Sequence, residues 1–493
     1  MAISGDYLKD ASQFQGQADR LLLPQNEQEA ADFLREANSN KTPVTFSGGG
    51  TGLTGGRVPR EGAVLSTERL NRILKIDWDE KRQAGAAVVQ PGVPLKELEA
   101  ALEAKGLFYP PDPGEKAAFV GGTVATNASG SRSFKYGATR LYVERLRLLL
   151  ADGSPLEVRR GGTRAENGAF AIVLSGGKTL SVPLPSYRMP AVKNAAGYYA
   201  APGMDLVDLF VGSEGTLGLI TEIELKIFKK PEALFHGILF FPSEKECVRF
   251  AAEARRMGRE ERAKPRMDPR ALEFFDSRSL ELLRPKHAAA APDGAGAALL
   301  IEQECRAGEE PVLRQAWIEQ AAKFGLLENL SRFSDRAADH AALRAVRYDL
   351  PVLVNEAASR NGFRKVGTDM AVPDAKGEEM LDFYLETLKR SGIDYVIFGH
   401  IGDNNLHVNL LPKTQRDFDR ARDMYALFAD KAVALGGTVS AEHGIGKLRI
   451  SYLEKMVGQK GLKEMARVKL ELDPNGLLNR GDIIPEELLK RRS

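Results

Sequence analysis

The feature that most constrains the fold of this chain is a glycine-rich loop at residues 47–56. It reads Ser-Gly-Gly-Gly-Thr-Gly-Leu-Thr-Gly-Gly, with six glycines in ten positions, and follows the apolar run Val44-Thr45-Phe46, which predicts a short buried strand. Glycine loses much conformational entropy on folding, so such a loop is expected where the backbone turns sharply or approaches a ligand closely. Consecutive N–H groups in such a loop suit a pyrophosphate. The loop therefore predicts a phosphate-binding site. The alternative is a flexible loop that binds no ligand.

The same loop contains the glycine spacing of a Rossmann motif, Gly50-x-Gly52-x-x-Gly55. A Rossmann unit needs a crossover helix before its second strand, and that connection takes at least about ten residues. The next predicted strand, residues 62–66, begins only six residues after Gly56. Because no helix fits in this space, the loop is predicted to bind phosphate in some other fold.

Two more segments rich in small residues follow, at 120–130 and 212–218. Amphipathic helices are predicted at residues 24–38, with Asn26 as the cap, and at 94–105. Three glycine-rich segments indicate an extended ligand that is held by several backbone loops.

Length and composition exclude several classes of protein. A chain of 493 residues predicts two or three domains. A net charge of +2 without a basic block argues against a nucleic-acid partner. The two cysteines, Cys247 and Cys305, lie far apart, which argues against a disulfide framework or an iron–sulfur cluster within this chain. No apolar run reaches the roughly 18 residues of a membrane helix, and no signal peptide is apparent at the N-terminus.

A second feature is a segment near the C-terminus that holds three of the six histidines. Two apolar runs flank the turn Gly402-Asp403-Asn404-Asn405 and predict a β-hairpin. With the turn centred in the middle of these four residues, His400 stands opposite His407, and Asn409 shares their face. Together with Glu442, the two imidazoles form a His₂Glu set suited to a divalent metal with an open position. The alternative is two polar hairpin residues beside an unrelated Glu-His pair.

These motifs together resemble a known flavoprotein family over roughly residues 20–485. The motifs that resemble the vanillyl-alcohol-oxidase-type (PCMH-type) FAD-binding domain are SGGGTGLTGG at 47–56, PPDPG at 110–114, GGTVATNASG at 121–130, YGATR at 136–140 and GSEGTLGLITEIELKI at 212–227. The motifs that resemble its D-2-hydroxyacid dehydrogenase branch are GHIGDNNLHVNL at 399–410 and AEHGIGKLR at 441–449. That branch includes D-lactate dehydrogenases, glycolate oxidase flavoprotein subunits and D-2-hydroxyglutarate dehydrogenases.

The resemblance implies an α+β fold in three parts. Residues 1–228 would form a two-subdomain PCMH-type FAD-binding domain. Residues 229–440 would form an antiparallel-sheet α+β cap domain with the substrate and metal site, and residues 441–493 would return to the FAD domain. Because none of the six histidines lies in the predicted FAD loops, FAD is expected to bind non-covalently.

The resemblance also implies which residues contact FAD. Those expected along the pyrophosphate are Ser47, Gly48, Gly49, Gly50, Thr51, Gly52, Leu53 and Thr54. Those expected along the flavin and the diphosphate are Pro111, Asp112, Gly121, Gly122, Thr123, Thr126, Asn127, Ser129 and Gly130. Glu214, Gly218 and Ile220 would hold the adenosine end, and Asn479 would lie near the flavin ring.

The catalytic roles follow from the same resemblance. Oxidation of a 2-hydroxyacid requires a base for the hydroxyl proton, and histidine titrates in the right range. His443 matches the base of the family, and Arg347 matches its carboxylate-binding arginine, with Arg344 as the rival and a solvated helix face as the alternative. Asn409 is expected to contact the substrate. The metal, Zn²⁺ or Mn²⁺, would be bound by the set named above, His400, His407 and Glu442.

The chain is therefore expected to oxidise a small D-2-hydroxyacid and to pass electrons to a quinone, a cytochrome or an electron-transfer flavoprotein. A cytoplasmic location is expected, with peripheral membrane attachment and homodimerisation as further possibilities. Two alternatives stay open at this point. One is a flavoprotein of different chemistry, like alkylglycerone-phosphate synthase, and the other is a subunit of a multi-chain glycolate oxidase.

Overall fold

The first half of the chain builds two separate sheets. The computed structural model describes residues 3–174, 176–260, 267–334 and 336–490. The strands of the first half are β1 (Arg20–Leu22), β2 (Val44–Ser47), β3 (Ala63–Ser66), β4 (Ile73–Asp79), β5 (Ala84–Val89), β6 (Leu107–Phe108), β7 (Val143–Leu149), β8 (Pro155–Arg159), β9 (Ala169–Val173), β10 (Thr179–Pro183) and β11 (Leu219–Lys229). Its helices are α1 (Glu27–Asn40), α2 (Leu95–Glu103), α3 (Val120–Ala125), α4 (Ser133–Tyr136) and α5 (Leu206–Phe210).

The small sheet is parallel and has the strand order β1-β3-β2. Strands β2 and β3 run parallel although only the glycine-rich loop joins them, without a helix. The rejection of a Rossmann unit is thereby confirmed. Helix α1 begins at Glu27, three residues later than predicted. The predicted cap is confirmed, because the side chain of Asn26 accepts a hydrogen bond from the Glu29 N–H at 3.0 Å.

The larger sheet of this half is antiparallel, with the order β4-β5-β11-β7-β8 and with β6 also paired to β11. Strand β11 is its central strand, and the inward residues Ile223, Leu225 and Ile227 are almost fully buried. Strands β9 and β10 form a separate two-stranded ribbon.

The second half forms one seven-stranded antiparallel sheet with helices. Its strands are β12 (Ala233–Phe241), β13 (Pro269–Asp276), β14 (Ala297–Cys305), β15 (Arg332–Ser334), β16 (Val366–Gly367), β17 (Asp394–His400) and β18 (Asn405–Leu411), in the order β15-β12-β14-β13-β17-β18-β16. Its helices are α6 (Glu244–Glu260), α7 (Ser277–Leu283), α8 (Glu310–Ala322), α9 (Ala337–Arg360), α10 (Gly377–Ser391) and α11 (Gln415–Ala434). The α+β class and the antiparallel cap sheet are confirmed.

The hairpin of β17 and β18 differs from its predicted register. A 3-10 turn over Ile401–Asp403 and a left-handed Asn404 (φ 49°) place the turn closer to β17. His400 therefore pairs with Asn405, and His407 pairs with Phe398. The predicted direct pairing of His400 with His407 is wrong by two positions. Because side chains alternate with a period of two, both histidines still project from the same face, and their ring centroids are 5.5 Å apart.

The C-terminal segment returns to the small parallel sheet. Helix α12 (Ile450–Leu472), which is broken at Gly458, leads to residues 477–479 beside β2. The Val44 N–H donates to the Leu477 oxygen at 3.0 Å, and the Asn479 N–H donates to the Val44 oxygen at 2.9 Å. No described helix is both long and apolar enough to cross a membrane.

A buried ion pair stabilises the packing of the C-terminal segment beside the small parallel sheet. Lys469, 1% exposed, lies 2.9 Å from the carboxylate of Asp473, which is fully buried. The Lys469 ammonium also donates to the main-chain oxygens of Thr216 at 2.8 Å and Leu478 at 2.7 Å. One cation thus joins α12, the third glycine-rich segment and the C-terminal segment.

Replacing Lys469 by methionine should lower the free energy of unfolding by about 3–5 kcal/mol, because Asp473 would keep a buried charge without its partner. The matched control on the same helix is Lys460→Met, which removes an exposed pair with Glu464 (3.6 Å) and should change stability by about 0.5 kcal/mol or less. Urea unfolding of both variants measures the difference. Equal effects of the two substitutions would contradict the fastening role of Lys469.

Candidate active site

A cavity of about 1240 Å³ lies where the glycine-rich loops meet the sheet of the second half. One side is formed by residues 46–54, 121–129 and 214–220, and the other side is formed by the β17–β18 hairpin and α9. The sequence predicts two kinds of site, a phosphate-binding glycine-rich loop and a histidine cluster of His400, His407 and Glu442. Both therefore line the same cavity.

The loop between β2 and β3 is built to receive an anion. The backbone N–H groups of residues 48–54 donate no hydrogen bond to any residue that the structure describes. A Cβ added at Gly48, or at Gly122 on the same side of the cavity, would meet no atom within 4 Å, so neither backbone position is packed against protein. A run of free N–H groups beside open space is the arrangement that binds phosphate oxygens.

The histidine cluster lies on the cap side of the cavity. One donor atom each from His400, His407 and Glu442 lies within 4.8 Å of the other two. The Glu442 carboxylate is 3.2 Å from His400 Nε2 and 3.7 Å from His407 Nε2. These three side chains thus surround one point, as the ligands of a small cation do.

The other ring nitrogen of His400 and of His407, Nδ1, contacts a hydrogen-bond acceptor. His400 Nδ1 lies 2.7 Å from the Glu273 carboxylate, and His407 Nδ1 lies 2.9 Å from the main-chain oxygen of Thr368. Since both partners accept hydrogen bonds, each Nδ1 carries the proton and each Nε2 faces Glu442. Burial lowers the pKa of His407 to about 4. Burial also acts against protonation of His400, but Glu273 and Glu442 outweigh it and raise the pKa of that ring.

His443 lies beside this cluster and lines the cavity. Its Nδ1 is 3.3 Å from the carboxylate of Asp369, and its ring stacks on His407 at 5.6 Å. Burial lowers the pKa of His443, although Asp369 opposes the shift. Burial alone would raise the pKa of Asp369, but His443 and Arg449 outweigh it and bring that pKa to about 2. A neutral histidine against an ionised carboxylate is able to accept a proton.

Asp369 is also part of an alternative cation set with Glu442 and His443. Its Oδ2 atom already accepts from Ser440 Oγ at 2.8 Å, from the His443 N–H at 2.9 Å and from Arg449 at 3.0 Å. The Glu442 N–H is a fourth donor to the same oxygen, at 3.3 Å. A carboxylate oxygen with four donors is poorly placed to bind a metal, so the His400, His407 and Glu442 set is the better cation site.

Two cations of the cap reach the cavity. Arg347 lines it and forms an ion pair with Glu273 at 3.0 Å, whereas the rival Arg344 pairs with Glu302 at 3.3 Å and is not among the lining residues. Lys365 also lines the cavity, and burial lowers its pKa to about 8. No described carboxylate lies within 4.0 Å of the Lys365 ammonium. Asn409 lines the same wall.

Most of the residues predicted to bind a cofactor line the cavity. They are Ser47, Gly48, Gly49, Gly50, Thr51, Gly52, Leu53, Thr54, Gly121, Gly122, Thr123, Thr126, Ser129, Glu214, Gly218, Ile220 and Asn479. The four that are not among the lining residues are Pro111, Asp112, Asn127 and Gly130.

Three of these four residues hold the loops together behind the wall. Asp112 accepts from Ser131 Oγ at 2.6 Å, and a Cβ at Gly130 would lie only 1.9 Å from the Asp112 main-chain oxygen. Asn127 accepts from the Arg140 N–H at 2.9 Å. Their contacts fix the shape of the second glycine-rich segment.

Glu214 and Asn479 lie together rather than at two ends of a ligand. The Asn479 side chain donates to the main-chain oxygen of Glu214 at 2.8 Å. The Glu214 carboxylate accepts from the N–H groups of Ile445 and Gly446 at 2.7 and 2.8 Å, next to His443. The structure therefore places these two residues next to each other, and their separate contacts with FAD stay predictions.

Sequence reasoning missed Glu273 and the role of Asp369. The available signal for Glu273 was an acid flanked by the apolar residues Leu272 and Phe274, in a strand of which every residue is buried. It also missed residues 10–13 of the N-terminal segment, which line the cavity. The Gly55 N–H donates to the Asp10 carboxylate at 2.9 Å, so this segment closes over the glycine-rich loop.

Family comparisons identify the two halves that meet at this cavity. A family described as FAD linked oxidases, C-terminal domain, matches residues 230–483, and one described as FAD binding domain matches residues 18–159. The first match alone covers more than half of the chain. The chain belongs to the FAD-linked oxidase family.

Similar proteins agree with this assignment and cover nearly the full chain. The glycolate oxidase subunit GlcD of Bacillus subtilis is 31% identical and aligns over 98% of this chain and 93% of its own. A D-lactate dehydrogenase of Archaeoglobus fulgidus is 31% identical over 94% of this chain and 91% of its own. A D-2-hydroxyglutarate dehydrogenase of Xanthomonas citri is 31% identical over 94% of this chain and 88% of its own. The oxidase therefore falls in the D-2-hydroxyacid branch of the family.

A solved structure of alkyldihydroxyacetonephosphate synthase shares the fold. It superposes with a TM-score of 0.63 at 19% identity, over 93% of this chain and 75% of that one. At this identity the likeness establishes the two-domain architecture of the oxidase and nothing about its reaction.

The residues of this oxidase fit FAD. The free N–H groups of residues 48–54 match a pyrophosphate, and the open backbone at Gly48 and Gly122 admits a ligand in direct contact with the main chain. None of the six histidines belongs to these loops, which agrees with non-covalent binding.

The histidine cluster also fits a divalent cation. Two Nε2 atoms and one carboxylate are a typical donor set for such a cation. Each ring is oriented by the hydrogen bond of its Nδ1. The Lys193 ammonium, with its side chain only 3% exposed, already contacts one Glu442 oxygen. A cation bound there would share Glu442 with Lys193 or displace it.

Replacing Gly122 by valine should leave the fold intact and weaken FAD binding by roughly 10-fold or more. A Cβ at this position would meet no protein atom within 4 Å. The rest of the side chain would extend into the cavity that Gly122 lines, where overpacking costs about 1–3 kcal/mol. Titration of the apoprotein with FAD, followed by fluorescence quenching, measures the change. Gly5→Val, at an exposed glycine that is equally open but is not among the lining residues, is the control and should bind FAD normally.

Proposed function

We propose that this FAD-linked oxidase oxidises a small D-2-hydroxyacid to the 2-oxoacid, with His443 as the base and a divalent cation at His400, His407 and Glu442. The observation that carries the proposal is the His443–Asp369 pair beside the His₂Glu set, in the cavity that the glycine-rich loops also line. The similar proteins named for D-lactate, glycolate and D-2-hydroxyglutarate support the substrate class.

FAD, when bound, supplies the hydride acceptor, and Zn²⁺ or Mn²⁺, when bound, supplies a Lewis acid for the substrate oxygens. The protein holds the first with the main chain of residues 48–54 and with residues 121–129, and it holds the second with His400, His407 and Glu442. We also propose that residues 1–228, 229–440 and 441–493 act as the FAD domain, the cap and the returning segment.

The acid would be oriented by the cations of the cap. A guanidinium binds a carboxylate through two parallel hydrogen bonds, and Arg347 presents its remaining nitrogens beyond the ion pair with Glu273. Lys365, without a carboxylate partner among the described residues, offers a second positive charge on the same wall. Asn409 adds an amide next to His407, whose main-chain oxygen accepts from Asn409 Nδ2 at 3.2 Å.

The hydroxyl proton would pass to His443. Asp369 holds the ring from its Nδ1 side at 3.3 Å, so the other ring nitrogen is the one able to accept the proton. The buried carboxylate then stabilises the imidazolium that forms. Since the chain has only two cysteines, Cys247 and Cys305, too few for the usual four-cysteine iron–sulfur cluster, electrons would leave to an external quinone, cytochrome or electron-transfer flavoprotein.

The experiment that tests the function is anaerobic mixing of the FAD-loaded oxidase with a panel of 2-hydroxyacids. We expect at least one of D-lactate, glycolate and D-2-hydroxyglutarate to bleach the flavin absorbance, and we expect the L-enantiomers of the chiral acids to be far slower. If dithionite bleaches the flavin and no acid does, the chain is a flavoprotein of different chemistry or an inactive subunit of a larger oxidase.

A further inference from the structure

Glu273 contacts both parts of the proposed site with one carboxylate. It lies on β13 and is only 2% exposed. One oxygen lies 2.7 Å from His400 Nδ1, and the other lies 3.0 Å from Arg347 Nε. The side chain that orients a proposed cation ligand therefore also holds the arginine that is proposed to bind the substrate carboxylate.

The sheet explains how one residue reaches both. Strands β13 and β17 are neighbours in register, with Phe274 opposite Gly399, so Glu273 lies next to His400 across the pair. Helix α9 packs over this sheet and brings Arg347 to the second oxygen. A side chain one methylene shorter would not span both contacts.

Both contacts are largely buried. Arg347 and His400 are both largely buried, with side chains 16% and 7% exposed. A buried charge that loses its partner is destabilised and adopts other positions. The orientation of His400 and the orientation of Arg347 therefore depend on the same group.

We propose that Glu273 is a positioning residue that sets the cation site and the acid-binding arginine together. The proposal rests on the proposed function, because it takes His400 as a ligand and Arg347 as the carboxylate-binding group. It adds that the two binding events share one structural support, so a change in the reach of Glu273 weakens both.

The decisive variant is Glu273→Asp, which keeps the charge and shortens the reach. A role through charge alone predicts little change, whereas a positioning role predicts loss of both functions. The matched control is Glu302→Asp on the adjacent strand β14. Glu302 is similarly buried, at 6% exposure, and pairs with Arg270 at 2.8 Å and Arg344 at 3.3 Å, but it is not among the residues that line the cavity.

Two measurements are made on FAD-loaded protein after metal removal. Zn²⁺ affinity is measured by competition with a chelator, and oxalate affinity is measured in metal-free protein by the change in flavin absorbance. We expect Glu273→Asp to weaken Zn²⁺ binding by about 10–100-fold, as loss of an outer-shell partner does. We expect it to weaken oxalate binding by about 10-fold, because Arg347 is no longer held in one orientation. Glu302→Asp should stay within about two-fold on both, since it touches neither group.

The possible outcomes distinguish failure of the positioning role of Glu273 from failure of the proposed function. If wild type binds Zn²⁺ and oxalate and Glu273→Asp binds both equally well, the positioning role is overturned and the proposed function stands. If wild type binds neither, both fall together. Should Glu273→Asp not fold, Glu273→Leu supplies the Zn²⁺ measurement. It has no acceptor for His400 Nδ1, and normal Zn²⁺ affinity in that variant would equally overturn the inference.

Discussion

Replacing His443 by alanine is expected to slow flavin reduction by a 2-hydroxyacid by about 10²–10⁴-fold, the usual contribution of a positioned general base. The ring lines the cavity, and Asp369 supports it at 3.3 Å, so its loss removes the acceptor for the hydroxyl proton. FAD should stay bound, because the cradle at residues 48–54 is untouched. Anaerobic stopped-flow mixing measures the rate, and the flavin released on denaturation measures occupancy.

Two controls make this result specific. His287→Ala removes a histidine of the same kind, paired to Asp349 at 2.7 Å but not among the lining residues, and it should reduce flavin at the wild-type rate. Added imidazole should restore part of the activity of His443→Ala, since it fits the space that the ring vacates. A His443→Ala variant that reduces flavin at a near-normal rate would place the base elsewhere.

The glycine-rich loop was predictable because the residues that define it are consecutive in the sequence. Six glycines between two short strands leave no room for a helix, so both the phosphate site and the absence of a Rossmann unit followed from local spacing. The side chains that hold the loops together did not follow, because the contact of Asp112 with Ser131 and the close approach of Gly130 depend on how the segments fold back on each other.

The histidine hairpin shows how a wrong register still yields the right face. The left-handed conformation of Asn404 and the 3-10 turn before it moved the pairing by two positions. A shift of one position would have sent one histidine to the opposite face, whereas a shift of two preserves the face. Alternation therefore predicted the shared face of His400 and His407, but only the turn geometry decided which residues pair.

Glu273 and Asp369 mark the limit of sequence reasoning. Each acts through contacts over long sequence separations: Glu273 on His400 across neighbouring strands, and Asp369 on His443 from the loop after β16. A buried acid indicates a partner without naming it. Pattern alone does not supply that partner, because it is set by sheet order rather than by spacing along the chain.

Replacing His407 by glutamine is expected to abolish binding of the cation and to slow flavin reduction by about 10²–10⁴-fold, because a Lewis acid contributes several kcal/mol to such a reaction. His407 Nε2 faces Glu442 at 3.7 Å and forms the His₂Glu set with His400. Metal content measured by mass spectrometry, alongside the anaerobic rate, follows both losses. Wild type treated with a chelator should match the variant, and added Zn²⁺ or Mn²⁺ should restore only wild type.

The fold should survive loss of the metal, which lets the effect be assigned to chemistry. Without a cation, Glu442 still has the Lys193 ammonium as a partner, so no unpaired buried carboxylate remains to unfold the cap. The matched control is His340→Gln, because His340 bonds the main-chain oxygen of Ser334 at 3.0 Å as His407 bonds that of Thr368, yet it is not among the lining residues. That variant should keep both metal and rate. A chelated wild type that is free of metal and fully active would rule out the cation, and His400, His407 and Glu442 would then form only a buried hydrogen-bonded cluster.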